Sequence, residues 1–296
     1  MRGGADYYAT AHAELLKGGY GTRSVFNWRP PALPWLASRV PAGWADTILR
    51  LMAIAAALAV AAAVRRRLGT DAAVLTLVAL TVNLVSTAAP GAAVFSDIVA
   101  GVLILGAVGA YGLGRPLAGV ALALLALFLR ELVAPAVVLF IVLAWRAGRR
   151  RELVAWALGL AAFAAYFGWH ALTVHAQLGP EDIAYPSGWV QFGGLSFILS
   201  TAAFNGLMLT APPAATAVLL PLCLLGLAAW PGGLALRVGL TVAAYLLLFS
   251  VVGKPFNDYW GALYTPLMML GLPLLPGTLR DLARAIGGHE PATANG

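Results

Sequence analysis

Charge is scarce in this chain: 10% of its 296 residues are Asp, Glu, Lys or Arg, against roughly 25% in an ordinary soluble domain. With 61% hydrophobic side chains and a mean hydropathy of +0.84, that shortage excludes a soluble enzyme, a disordered tail and a nucleic-acid reader. Cysteine is nearly absent. Cys223 is the only one, so no intramolecular disulfide is possible and the redox compartment stays open. There is no Walker loop, dinucleotide fingerprint, zinc motif or CxxC, hence no phosphate cradle for a nucleotide-bound donor. No 20–50-residue repeat or low-complexity tract occurs, and MRGGADYY lacks the apolar core of a signal peptide. The net charge of +7 does not point to DNA. The basic residues, all arginine except Lys17 and Lys254, punctuate apolar runs as topology signals do on an anionic membrane.

What is present is a series of membrane-length runs. A hydrocarbon core of about 30 Å needs about 20 apolar residues per helix, and such runs fall at 44–64, 72–90, 95–114, 152–174, 213–230, 233–253 and 259–277. The stretch 116–146 is apolar except for Arg130 and Glu131 at its middle, and both of its ends are basic. A hairpin of two short helices puts both basic ends on the cytoplasmic side. The expectation is an all-α polytopic membrane protein of about nine transmembrane or half-membrane helices with outer-face juxtamembrane helices. Residues 1–43 form an outer-face loop with a juxtamembrane helix, 44–277 the transmembrane domain including an outer loop at 175–212, and 278–296 a cytoplasmic tail. In this orientation Arg65 to Arg67, Arg115, Arg146, Arg149 to Arg151, Arg237, Arg280 and Arg284 lie inside. The segment FGGLSFILSTAAFNG within the outer loop suits a helix lying on the membrane or dipping into a cavity. Residues 1–43 would then be translocated, so the chain is expected to start one helix late.

Charged groups at membrane depth are costly and concentrate function. Five candidate positions fall on the outer face. Asp6 opens a helix whose Tyr8, Ala11 and Leu15 share one face; it is equally an N-cap. Arg29 sits in FNWRPPALPWL, extended before its prolines, where Trp28 and Trp35 can pin an interface and the arginine can simply snorkel. Asp97 opens the third run and is either functional or a cap. Arg130 and Glu131 are neighbours that, on a helix, point different ways and each need a partner. Lys254, Asp258 and Tyr259 lie in the re-entry loop GKPFNDYWGALYTPL. Weaker signals are His170 and His175, poorly spaced for a metal, and Asn83, Ser86 and Thr87, which interhelical hydrogen bonding explains.

Five segments together resemble the GT-C superfamily of integral membrane glycosyltransferases, which includes protein mannosyltransferases and aminoarabinose transferases. GGADYYATAHAELLKGGYG is similar to that family's first outer loop, and FNWRPPALPWLASRVP to the proline-rich run leading to the next span. AVFSDIVAGVLIL is similar to an acidic span start, and ALFLRELVAPAVVLFIVLAWR to a short-helix pair with a central charged dipeptide. KPFNDYWGALYTPLMMLGLP is similar to the final outer loop and last span. The first transmembrane helix of the family is missing here, and no sizeable soluble domain follows the last run. The resemblance implies transfer of a sugar, usually with inversion, from a polyprenyl-phosphate donor to an envelope glycan, lipid or protein acceptor, at the outer or periplasmic face of a bacterial plasma membrane. By it, Asp6 is the general base. Lys254, Arg130 and Arg29 meet the leaving phosphate, Glu131 orients Arg130, and Asp97 orients an acceptor or steers Asp6, with Asp258 and Tyr259 binding substrate nearby. A divalent cation is used by some members and is not required by these residues. The alternatives are a polytopic transporter or flippase, and an inactive remnant or accessory membrane subunit.

Overall fold

A computed structural model describes residues 6–41 and 43–286. Among them there are thirteen α-helices, short 3-10 turns and no strand, with one isolated bridge between Val190 and Val252. The fold is all-helical. Two short helices come first, α1 (Tyr7–Lys17) and α2 (Ala32–Ser38). The bundle follows: α3 (Trp44–Leu68), α4 (Thr70–Leu84), α5 (Ser96–Gly112), α6 (Pro116–Leu129), α7 (Ala134–Arg146) and α8 (Arg150–His175). After an irregular loop come α9 (Gly194–Ala203), α10 (Pro213–Ala228) and α11 (Gly233–Val251). The described residues end in a broken element with α12 (Thr265–Met268) and α13 (Leu275–Ile286).

Four helices, α3, α4 with its 3-10 extension, α8 and α11, are long and apolar enough to cross a bilayer, and a fifth span results if the final bent pair counts as one. The protein is therefore an integral membrane protein. The other apolar helices are shorter: α5 has 17 residues, α6 has 14 and α10 has 16. At 1.5 Å per residue α6 reaches about 21 Å, short of the hydrocarbon thickness. It turns back as a hairpin with α7, since Arg115 to Ala118 and Gly148 to Glu152 line one surface groove. The break between α6 and α7 has a local cause. Pro135 has no N–H to donate to the Glu131 carbonyl, so a continuous helix would lose that bond and clash; Arg130 instead takes an extended conformation (φ −153°, ψ 110°) and α7 restarts with proline in its first turn.

α5 is the central helix, buried at most of its positions and lined with small residues. It lies against α3 and α6 and the final broken element. Small residues matter because, without a hydrophobic drive between helices in lipid, close backbone packing supplies the attraction. A Cβ on Gly101 would stand 2.0 Å from the Ala262 carbonyl oxygen, and one on Gly226 of α10 would stand 1.9 Å from that of Gly271.

Several expectations are corrected. The run 259–277 is not a straight span: it breaks into a 3-10 stretch (Pro255–Leu263), α12, another 3-10 stretch (Met269–Leu274) and α13, with a 57° bend. Pro266 and Pro273 lie within it, each removing a helical donor. Residues 278–286 are helical, forming the later turns of α13. The terminal GGHEPATANG, like residues 1–5 of the first loop, lies outside the described residues. The helix within 190–210 is ten residues long and packs against α10, α11 and the 255–263 stretch rather than lying flat on lipid. Trp28 is not an interface pin. It is 2% exposed, donates from Nε1 to the Thr22 carbonyl at 2.8 Å and stacks on His12.

Candidate functional site

The arginine clusters gather at one end of the bundle, and the sparse acid–base residues at the other. There, the α6–α7 break carries Arg130 inward to the first turn of α5. Arg130 Nε donates to Asp97 Oδ1 at 2.8 Å and Nη1 to Glu131 Oε1 at 2.5 Å. The side chains are 1%, 3% and 11% exposed, so one cation serves two carboxylates away from bulk water. The guanidinium carbon lies 6.0 Å from the centre of the Trp260 ring. Glu131 Oε2 is buried with no hydrogen-bond partner among the described residues, an acceptor left open at the floor of the site. The expectation that Arg130 and Glu131 point apart is corrected: that rule belongs to helices, and the extended backbone at Arg130 lets the neighbours pair. Asp97 is Arg130's partner, and no bond joins it to Asp6.

Above this trio a second network joins the first loop to the re-entry loop. The Tyr7 hydroxyl donates to the Arg29 carbonyl at 2.5 Å, and Arg29 Nη2 donates to the Tyr259 hydroxyl at 2.8 Å. Asn257 Nδ2 donates to the same hydroxyl at 3.1 Å, while its Oδ1 accepts from the Lys254 N–H at 3.0 Å. The Tyr259 oxygen thus accepts twice and keeps its own proton to donate. Arg29 is tied down rather than snorkelling. Burial chiefly, with Tyr166 adding and Arg29 opposing, pushes the Tyr7 hydroxyl up to about 12, so it remains a donor. Asp6 sits at the exposed start of α1, where Oδ1 accepts the Ala9 N–H at 2.8 Å: it is the N-cap. Asp258 Oδ1 accepts the N–H of Tyr259.

Comparison with protein-family models, curated proteins and solved structures returns no match. The site therefore rests on its own geometry.

Lys254 faces the irregular loop between α8 and α9. Its Nζ donates to the Ser187 carbonyl and hydroxyl, both at 2.8 Å, and lies 4.6 Å from the centre of the Tyr185 ring. The same loop is held by His12, whose Nε2 lies 2.8 Å from Asp182 Oδ1. Burial acting alone would raise the Asp182 carboxyl; the nearby Thr22 hydroxyl, the Gly179 N–H and His12 overcome it and hold it below the ordinary value. His12, Glu181 and Asp182 offer ligand atoms within 4.8 Å of one another, the one such grouping among the described residues. A divalent ion would find one nitrogen and two oxygens there, while Asp182 already serves the loop. His170 is structural: its Nδ1 bonds the Tyr8 hydroxyl at 2.9 Å in a buried contact.

The residues that sequence reasoning missed are the neutral Tyr7, Asn257, Ser187 and Tyr166 (whose hydroxyl accepts the Ala32 N–H), together with the His12–Asp182 clamp. KPFNDYW contains Asn257 in plain view. The others carry no spacing signal, because their partners lie far along the chain.

An apolar groove of about 310 Å³ reaches this end of the bundle between α2, α3 and α6. Leu33, Leu49, Val99 and Leu129 line it. Leu129 immediately precedes Arg130, Val99 is two residues from Asp97, and Leu33 is four from Arg29.

Proposed function

We propose that this protein is a membrane glycosyltransferase that moves a sugar from a polyprenyl-phosphate donor to a lipid, glycan or protein acceptor at the outer face. The observation that carries the reading is an apolar groove whose lining residues Leu33, Val99 and Leu129 lie within four positions of Arg29, Asp97 and Arg130, an arrangement that suits a lipid chain with a phosphate at its head. The isoprenoid chain lies along Leu33, Leu49 and Leu129, and the phosphate meets Arg29 and the free proton of Tyr259. These donors are fixed by their own bonds and stabilise the charge that grows on the leaving phosphate. Arg130, clasped by Asp97 and Glu131, sets positive potential below it, and the unpartnered Glu131 oxygen receives a sugar or acceptor hydroxyl. Lys254 holds the loop over the site. Asp6, exposed on the same first loop, takes the acceptor proton as the hydroxyl attacks the anomeric carbon. In this reading the four long helices and the final bent pair cross the membrane, and the shorter apolar helices enter it as partial spans.

The broken final element also suits a transporter, where interrupted helices line a substrate cavity. Here residues 260–271 are all buried in packing contacts, which favours the transferase.

The test is transfer from labelled polyprenyl-phosphate sugars by membranes containing the full chain. Asn caps helices as well as Asp, so Asp6→Asn isolates chemistry from capping. The expected loss is about 10²–10⁴-fold, the contribution of a general base. Equal transfer by wild type and Asp6→Asn sinks Asp6 as base; no transfer with any donor by the wild type sinks the enzyme reading.

A further inference from the structure

The opposite end of the bundle holds an arginine that topology does not explain. Positive charge marking a membrane face needs only to sit in water near the surface. Arg237, in the first turns of α11, is instead 4% exposed. Its guanidinium carbon lies 3.6 Å from the centre of the Tyr111 ring and 4.6 Å from that of Phe140. Nη1 is buried and has no hydrogen-bond partner among the described residues. A buried cation with an unmet donor is expensive unless a counter-charge joins it.

Arg237 opens onto a cavity of about 200 Å³ that Arg67, at the end of α3, and Arg149, in the α7–α8 turn, also line. Three separate elements thus bring one guanidinium each to the same space. Gly232 (φ +93°) leaves Arg67 its place, since a Cβ there would stand 3.3 Å from Arg67 Nη1. The nearby acid is Glu152, and it is engaged: Tyr111 donates to Oε1 at 2.6 Å and Arg149 Nη1 lies 3.4 Å from Oε2. Three arginines less one glutamate leave a charge of +2 around the cavity.

We propose that this cavity is a phosphate-binding site, with Arg237 as its buried anchor and Arg67 and Arg149 closing over the anion. Guanidinium forks match phosphate oxygens in charge and geometry. A phosphate supplies the acceptor that Arg237 Nη1 lacks, and its charge balances the +2. The chemistry is shared by a phospholipid headgroup and by free phosphate. The site stands at the other end of the bundle from the proposed transfer chemistry and is independent of that reading.

The experiment uses the full chain in uncharged detergent. Binding of short-chain phosphatidylglycerol is followed by native mass spectrometry, with and without inorganic phosphate. Arg67→Gln, at an exposed position that leaves the interior intact, is expected to weaken binding at least about tenfold, the worth of one charged hydrogen bond. Arg237→Gln is expected to abolish it, and Arg151→Gln, which lines the neighbouring groove, to leave it unchanged. Lipid retention insensitive to phosphate supports the site as a headgroup pocket; displacement of lipid by phosphate supports it as a pocket for the free anion as well. Absence of saturable binding of either probe by the wild type overturns the proposal, as does equal weakening by Arg67→Gln and Arg151→Gln.

Discussion

Replacing Arg130 by methionine keeps an unbranched stem and removes the guanidinium with its charge. Asp97 and Glu131 are then left as two carboxylates, 3% and 11% exposed, with no cation between them. Removing one partner of a buried ion pair costs about 3–5 kcal/mol, and two acids depend on this one arginine, which argues for the upper half of that range. On a folding equilibrium this is roughly two to three and a half decades. Cys223 provides the assay. It is the only cysteine, is 0% exposed, and lies where α10 crosses the final element. A thiol-reactive dye therefore reports opening of the bundle at a single position. In a thermal ramp the labelling midpoint of Arg130→Met should fall by on the order of 10 °C. Neutralising the stranded acids as well, with Asp97→Asn and Glu131→Gln, should recover most of that loss, because no buried charge then lacks a partner. A fall of less than about 2 °C, or a triple variant no more stable than Arg130→Met alone, refutes the reasoning.

Gly226→Val forces branched carbon into the 1.9 Å approach to Gly271 and should abolish monodisperse protein on size exclusion, whereas Gly239→Ala, which faces open space, should be tolerated; equal recovery of both would discount the close crossing. The lowered Asp182 carboxyl gives the loop clamp an acid limit: its stabilisation is complete above the ordinary value of 3.8 and disappears as pH falls through the lower folded value. Pepsin cleavage in residues 177–192 should accordingly rise at the acid end in wild type, and Asp182→Asn should be cleaved equally across the range; a pH step retained by Asp182→Asn contradicts the assignment. Lys254→Met removes both bonds to Ser187 and should raise amide exchange in 184–192 at least about tenfold. Unchanged protection there would mean the loop is held by its other contacts.

The membrane character, the helix at 7–17 and the hairpin at 116–146 were legible in the sequence because hydropathy and the basic ends of the hairpin are local signals. The final element was not, since KPFNDYWGALYTPLMMLGLP is apolar enough for a straight span and only its prolines warn otherwise. Trp28 shows another limit. Aromatics beside prolines fit a membrane interface, yet its indole is fixed by His12 and Thr22 from elsewhere in the loop. Of the candidate site, the charged residues could be read, because charge is conspicuous in an apolar chain. Their pairing could not: Arg130 meets Asp97 across 33 positions, and Arg29 meets Tyr259 across 230. Arg237 was masked differently, lost among arginines whose orienting role explains most of them.

α8 has a consequence of its own. Only 11% of its membrane-spanning window is buried, yet its last turns carry much of the first loop: His170 holds Tyr8, Tyr166 receives Ala32, Val174 packs with Tyr8 and Trp28, and Phe167 faces Phe26. A helix so loosely embedded answers to bilayer thickness by tilting, at a cost of fractions of a kcal/mol per Å of mismatch. Tilt of α8 would displace its far end most and pull on the first loop from that side, while the Arg29–Tyr259 bond holds the loop from the other. The strain set by the thickness of the lipid around one helix would thus fall on that single contact.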